Sequence, residues 1–193
     1  MKKDVILAGV GGQGILTISA IIGIAAVGSG LYLKQNEIHG MSQRGGDVHS
    51  NLRLSDKTIA SDLILTGQAD LILSVEPMEA LRYLPMLSTD GWVVTNTVPY
   101  INIPDYPSID KILAEIVKIP HNIMIDAEKI ARDLGFLRAA NMVILGASSP
   151  CLSIAFAGLE DAIREFFKAK GQEIVDFNLK ALEAGRDFAL RNN

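Results

Sequence analysis

The chain is poor in cysteine: Cys151 is the one thiol in 193 residues. No disulfide can close within it, and it cannot hold an iron–sulfur cluster, which takes four thiolates. Cys151 therefore reads as a small apolar residue rather than a nucleophile. A reducing cytoplasm is the compartment expected for such a chain.

Charge of one sign is not in excess. There are 18 Lys and Arg against 22 Asp and Glu, a net charge of −4, and the isoelectric point lies near 5.4. The basic face of a nucleic-acid binder is thereby excluded. Blocks of like charge, low-complexity runs, internal repeats and long polar linkers are all missing. The length suits one domain, residues 1–193, built on one core.

Targeting and membrane-spanning segments are lacking too. Lys2 and Lys3 precede an apolar stretch, but Asp4 and the glycines between Gly9 and Gly14 interrupt any signal-peptide core. Residues 15–27 are apolar apart from Thr17 and Ser19, yet too few to cross a bilayer, and no membrane association is expected. The chain has no Gly-x-Ser-x-Gly elbow, no Walker lysine and no His-Glu-x-x-His pair.

What is present is apolar. Hydrophobic residues make up 49% of the chain and the mean hydropathy is +0.27. Excess apolar surface on a small protein ends at a partner. Residues 4–8 form a short, continuous apolar run, as in a buried parallel strand. A glycine loop follows, then a helix over 14–28 with Gly28 and Gly30 as C-terminal stops. Because that helix is apolar all round, it is expected to be buried on both sides. Residues 31–37 read as a second strand. Asp47–Ser55 alternates, with Val48, Leu52 and Leu54 between polar neighbours, which predicts an antiparallel strand in a mixed sheet.

Further strands are expected at 70–75, 91–97 and 122–125. Helices are expected over 77–87, with Pro77 in the first turn, over 108–118 from a Ser108 cap, and over 126–134 from an Asp126 cap. A proline-spaced loop occupies 99–107. Residues 137–146 form a buried helical run, and the tail holds helices over about 158–169 and 172–190 around Gly171. Strands alternating with helices predict a three-layer α/β/α, Rossmann-like domain with a mixed, mostly parallel sheet and C-terminal helices.

Two loops carry the chemistry. Gly9-Val-Gly-Gly-Gln-Gly14 lies between a strand and a helix, where glycines allow close backbone approach and free N–H groups meet an anion. Gln13 adds an amide that both donates and accepts. A tight turn without a ligand has the same pattern. The second loop is Glu37-Ile-His-Gly-Met-Ser-Gln-Arg-Gly-Gly46. Glu37 closes the second strand about twenty residues beyond Gly14, where a dinucleotide-binding fold places its ribose-reading acid. A stand-alone NAD(P)-binding dehydrogenase or regulatory module is therefore one reading. A ribose site alone needs none of His39, Ser42, Gln43 or Arg44, so a loop working at a subunit interface is another, and a purely structural scaffold a third. Arg44 suits a phosphate or carboxylate through its planar fork, and as a solvated charge it would do nothing. Glu37, His39 and His49 match no metal-ligand spacing. His121 reads as structural, and Asn141, Ser148 and Ser149 are polar groups in an apolar run that must find partners.

Together the two loops, with Asn141-Met-Val-Ile-Leu-Gly146, resemble the gamma-type subunit, or domain III, of the 2-oxoacid:ferredoxin oxidoreductases, and within them the indolepyruvate type. The resemblance spans most of the chain, and the Glu-x-His-Gly-x-x-Gln-Arg-Gly-Gly run is its specific part. It implies oxidative decarboxylation of 2-oxo acids, here arylpyruvates, to acyl-CoA with reduction of ferredoxin. Thiamine diphosphate, Mg and iron–sulfur clusters would lie on a larger alpha subunit. The present chain has neither cluster thiolates nor a Gly-Asp-Gly…Asn-Asn thiamine–metal motif, and it would be inactive alone. The resemblance further implies coenzyme A at Gly9, Gly11, Gly12, Gln13 and Gly14, with Ser42 and Gln43, and a catalytic contribution from Glu37, His39 and Arg44.

Overall fold

The computed structural model describes residues 1–40 and 46–192. Six strands make one sheet: β1 (Lys2–Val10), β2 (Tyr32–His39), β3 (Asp47–Ser55), β4 (Ala69–Ser74), β5 (Leu87–Asn96) and β6 (Asn122–Ile125). Their order is β2-β3-β1-β4-β5-β6. β1, β4, β5 and β6 run parallel to one another, while β3 is antiparallel to both β1 and β2. The alternation read in Asp47–Ser55 thus marks the one strand that reverses direction.

Side chains alternate across the sheet as the two-residue period requires. Val5, Leu7, Leu52, Leu54, Leu71 and Leu73 enter one core with α1 (Ile15–Gly28) and the C-terminal helices. Ile6, Ala8, Ile72 and Val93 enter a second core beneath α2 (Pro77–Arg82) and α3 (Ile109–Ile116). The helices α4 (Ala127–Asp133), α5 (Ala140–Ser148), α6 (Phe156–Phe167) and α7 (Gln172–Arg191) complete the first layer. This is the expected three-layer architecture.

Three local readings change. The helix expected over 77–87 ends at Arg82, because Pro85 cannot donate to an α-helical ladder; a 3-10 turn over Leu84–Met86 follows and β5 begins at Leu87. Ser108 makes no side-chain cap, whereas Asp126 accepts the N–H of Lys129 as expected. α1 is buried on one side only: Ile15, Ile18, Ile21 and Ile22 are in the core, but Leu16, Ile24 and Val27 are exposed. Its continuous apolar sequence covers a core face and an open face together.

Candidate functional site

The glycine loop and the described neck of the β2–β3 connection lie at the carboxyl end of the parallel strands, the edge where open α/β sheets bind ligands. β1 runs out at Val10, and the chain turns through Gly11 and Gly12 into α1. The glycines have separate reasons. A Cβ on Gly9 would lie 2.3 Å from Val75 Cγ2, so this position is fixed by packing against the end of β4. Gly12 has φ +102° with open space where a side chain would stand, and Gly14 has φ +84°. Those conformations favour glycine. Gln13 folds back: its Oε1 accepts the Val10 N–H at 2.8 Å, and its Nε2 donates to the Val75 carbonyl at 3.5 Å. It donates and accepts as expected, but to the backbone of β1 and to the residue following β4.

Gly14 is the N-cap of α1 and supplies no side-chain acceptor. The first N–H groups of α1 are therefore available to a ligand. Clefts open on both sides of this turn. One, of about 350 Å³, is lined by Gly12, Gly14, Asn96, Glu128, Arg138 and Asn141 among others. The second, of about 320 Å³, is lined by Gly11, Gly12, Leu16, Thr17 and His39 with apolar neighbours.

The two sequence motifs meet at the backbone. Gly11 N–H donates to the Gly46 carbonyl at 2.9 Å, and Gly40 N–H donates to the Asp47 carbonyl at 2.8 Å. The neck of the β2–β3 connection is thus tied to the glycine loop. His39 reaches the second cleft and pairs with the Glu37 carboxylate. Glu37 itself does not reach the glycine loop. β3 is inserted between β1 and β2, and Glu37 lies level with Ser50 and, through it, with Leu7. Two strand spacings, roughly 10 Å, separate it from β1. The ribose-acid position of a dinucleotide site is therefore not formed. Ser42, Gln43 and Arg44 lie outside the described residues.

Sequence reasoning missed several residues that line or brace this edge. Arg138 lines the larger cleft, and it makes no ion pair among the described residues. Asn141, in the sequence a polar group in an apolar run and the start of the Asn141–Gly146 segment, places its Nδ2 3.5 Å from the Gly14 carbonyl. Glu76 is buried after β4, where its carboxylate accepts from Glu79 N–H at 2.9 Å, from Tyr100 N–H at 3.3 Å and from the Tyr106 hydroxyl. It pins the proline-spaced loop to the site edge. On the α2 face, the Tyr83 hydroxyl meets Asp47 and His49, beside the Glu79–Arg82 pair. Burial lowers the proton affinity of His49, against the pull of the Asp47 carboxylate. Burial also raises that of Glu79, opposed by the Arg82 guanidinium.

Elsewhere the singled-out residues serve the fold. Cys151 is buried, and burial pushes its thiol up to about 11. His121 stacks on Trp92 with ring centroids 5.0 Å apart, and the Ser148 hydroxyl donates to the Leu145 carbonyl at 2.8 Å. Among the described residues, no His, Cys, Asp and Glu side chains converge as a metal site, and no helix is long and apolar enough to cross a membrane.

Comparison with known proteins gives consistent matches. The family model described as pyruvate ferredoxin/flavodoxin oxidoreductase matches residues 4–188. An indolepyruvate oxidoreductase subunit IorB from Archaeoglobus fulgidus is 40% identical over 98% of this chain and 96% of its own length. The IorB subunit of Methanothermobacter thermautotrophicus is 34% identical, covering 96% of each. Among solved structures, a 2-oxoglutarate:ferredoxin oxidoreductase from Magnetococcus marinus, with 2-oxoglutarate, coenzyme A and succinyl-CoA bound, has a TM-score of 0.79 at 22% identity. That match covers 98% of the present chain and 31% of the other, and at such identity it speaks for the fold alone.

Proposed function

The chain belongs to the pyruvate ferredoxin/flavodoxin oxidoreductase family, and from that premise we propose that it is the cluster-free subunit of an indolepyruvate-type 2-oxoacid:ferredoxin oxidoreductase. The complex would oxidatively decarboxylate arylpyruvates to acyl-CoA and pass the electrons to ferredoxin, in the cytoplasm. The electron chemistry belongs to thiamine diphosphate, Mg and iron–sulfur clusters, which an alpha subunit would carry. With its single thiol, this chain cannot hold a cluster.

Its own residues fit coenzyme A. The observation that carries the reading is the joining of the two motifs through the Gly11–Gly46 hydrogen bond, beside an uncapped helix N-terminus. Gly12, Gly14 and the first residues of α1 leave backbone N–H groups open to a diphosphate, while the Gly11 N–H is taken by the Gly46 carbonyl, and the space beside Gly12 is where one could approach. Gly9 and Gln13 hold that turn in shape. Arg138 brings a guanidinium to the same cleft, and Glu128 gives that wall an acceptor for a ligand that carries N–H donors as well as anionic oxygens. Ser42, Gln43 and Arg44 would complete the site from the β2–β3 connection, with Glu37 orienting His39 at the mouth of the second cleft. Coenzyme A, when bound, supplies the thiol that takes up the acyl group; this chain would position it and exclude water.

The test is Arg44→Lys in the assembled complex. A lysine keeps the charge but loses the two parallel hydrogen bonds of the guanidinium. Activity should fall by roughly ten- to a hundred-fold, as expected for hydrogen bonds to a charged group. A rise in CoA KM alone marks a phosphate partner, a rise in 2-oxo acid KM alone a substrate carboxylate, and lost co-purification an intersubunit pair. No change in any of these would contradict a role for Arg44.

A further inference from the structure

One connected polar set has no role in the reading above. Tyr83 caps the C-terminus of α2, and its ring packs on His49 with centroids 4.5 Å apart. Its hydroxyl oxygen lies 3.0 and 2.8 Å from the two carboxylate oxygens of Asp47 and 2.7 Å from His49 Nδ1. A hydroxyl has one hydrogen, and a carboxylate can only accept. Burial favours the protonated phenol. The hydroxyl therefore donates to Asp47 and accepts from His49. That order of donors places the His49 hydrogen on Nδ1 and leaves Nε2 as a bare acceptor. Behind them Glu79 is gripped by Arg82 at 2.6 and 3.2 Å. Tyr83 thus joins the end of α2 to β3 through Asp47 and His49, with the Glu79–Arg82 pair beside it.

Its target is the neck of the β2–β3 connection. The Asp47 whose side chain Tyr83 holds also receives the Gly40 N–H on its carbonyl, and the preceding residue, Gly46, receives the Gly11 N–H. One hydroxyl thus acts on the residue where β2, β3 and the glycine loop are knotted together. A phenylalanine would fill the same volume and leave both Asp47 and His49 without this partner.

We propose that Tyr83 is a positioning residue for the oxidoreductase reaction, fixing the Gly40 and Gly46–Asp47 neck against the glycine loop through Asp47 and His49. The inference rests on the reading that the glycine loop takes part in the site shared by the complex. Tyr83 touches no reacting atom; it acts through the neck it holds against that loop.

The test is Tyr83→Phe in the complex assembled from the full chain and its partner subunit. Removal of the hydroxyl should lower kcat on the order of tenfold, since small misplacements of a site cost rate steeply. KM values, Tm and co-purification should stay close to those of the unmodified complex. As a second measurement, ¹⁵N-detected imidazole spectra of the full chain, which has 3 histidines, should show His49 protonated on Nδ1. An unchanged kcat, a loss of activity that merely follows a loss of Tm, or a His49 hydrogen on Nε2 overturns the proposal. Arg44→Lys measured in parallel separates the two readings. If it lowers activity while Tyr83→Phe does not, the positioning role falls and the loop's role stands; if neither has an effect, both fall.

Discussion

Asn141 and Gly14 are fitted to each other across the length of the chain. The Asn141 Nδ2 lies 3.5 Å from the Gly14 carbonyl oxygen, and a Cβ on Gly14 would stand 2.5 Å from that same nitrogen. The first turn of α5 thereby props the N-terminus of α1, and it does so only because residue 14 has no side chain.

Gly14→Val should therefore damage the proposed anion site twice. It forces a branched side chain to φ +84° and drives Asn141 away. The left-handed conformation alone costs roughly 1–2 kcal/mol for an L-residue. In the assembled enzyme the CoA KM should rise on the order of tenfold or more, in line with the loss of a hydrogen bond to a charged group. Gly12→Ala is the comparison: its φ is +102° but no atom lies within 4 Å of the added methyl, so backbone strain acts there without a clash. Steady-state kinetics with CoA varied would check both. An unaltered CoA KM in a folded, assembled Gly14→Val enzyme would reduce the loop to a turn.

A second pair of glycines sets how closely α5 and α7 approach. A Cβ on Gly146 would fall 1.9 Å from the Leu182 carbonyl oxygen, and one on Gly185 would fall 1.9 Å from that of Val143. The helices touch backbone to backbone, and neither carbonyl can yield as a flexible side chain would. Gly146→Ala or Gly185→Ala should destabilise the fold by about 1–3 kcal/mol, the usual cost of overpacking a filled core. Because both changes push the same two helices apart, the double variant should cost less than the sum. Urea unfolding of the three variants checks this, and unchanged midpoints would contradict the close approach.

Sequence patterns that act locally were legible. The continuous apolar run at the start of β1 and the alternation of Val48, Leu52 and Leu54 in β3 carried the mixed sheet, since each strand's burial is written in its own residues. Gly30, with φ +74°, and Gly171, with φ +95°, stand where helix ends were read. What depends on a distant partner was not legible. Nothing in 31–55 states that β3 enters between β1 and β2, so Glu37 looked like a ribose acid until the strand order placed it away from the glycine loop. Tyr83 and Asp47 are unremarkable in sequence and become a pair only when the C-terminal end of α2 is brought to the start of β3. Arg138 belongs to no sequence motif, because its cleft is assembled from the β1–α1 turn, the end of β5 and the start of α5. Gly146 closes the Asn141–Gly146 run in the sequence, and its packing role appears only once Gly185 stands opposite.

The most direct measurement of the central claim is reconstitution. The purified chain, the alpha subunit proposed as its partner and the two combined are each assayed for CoA-dependent, arylpyruvate-driven ferredoxin reduction. The chain has a single cysteine and cannot ligate a cluster, so it should show no turnover, no thiamine and no iron by itself, and activity should require both subunits. Turnover of an arylpyruvate by the pure chain, or full CoA-dependent turnover by the partner without it, would contradict the account.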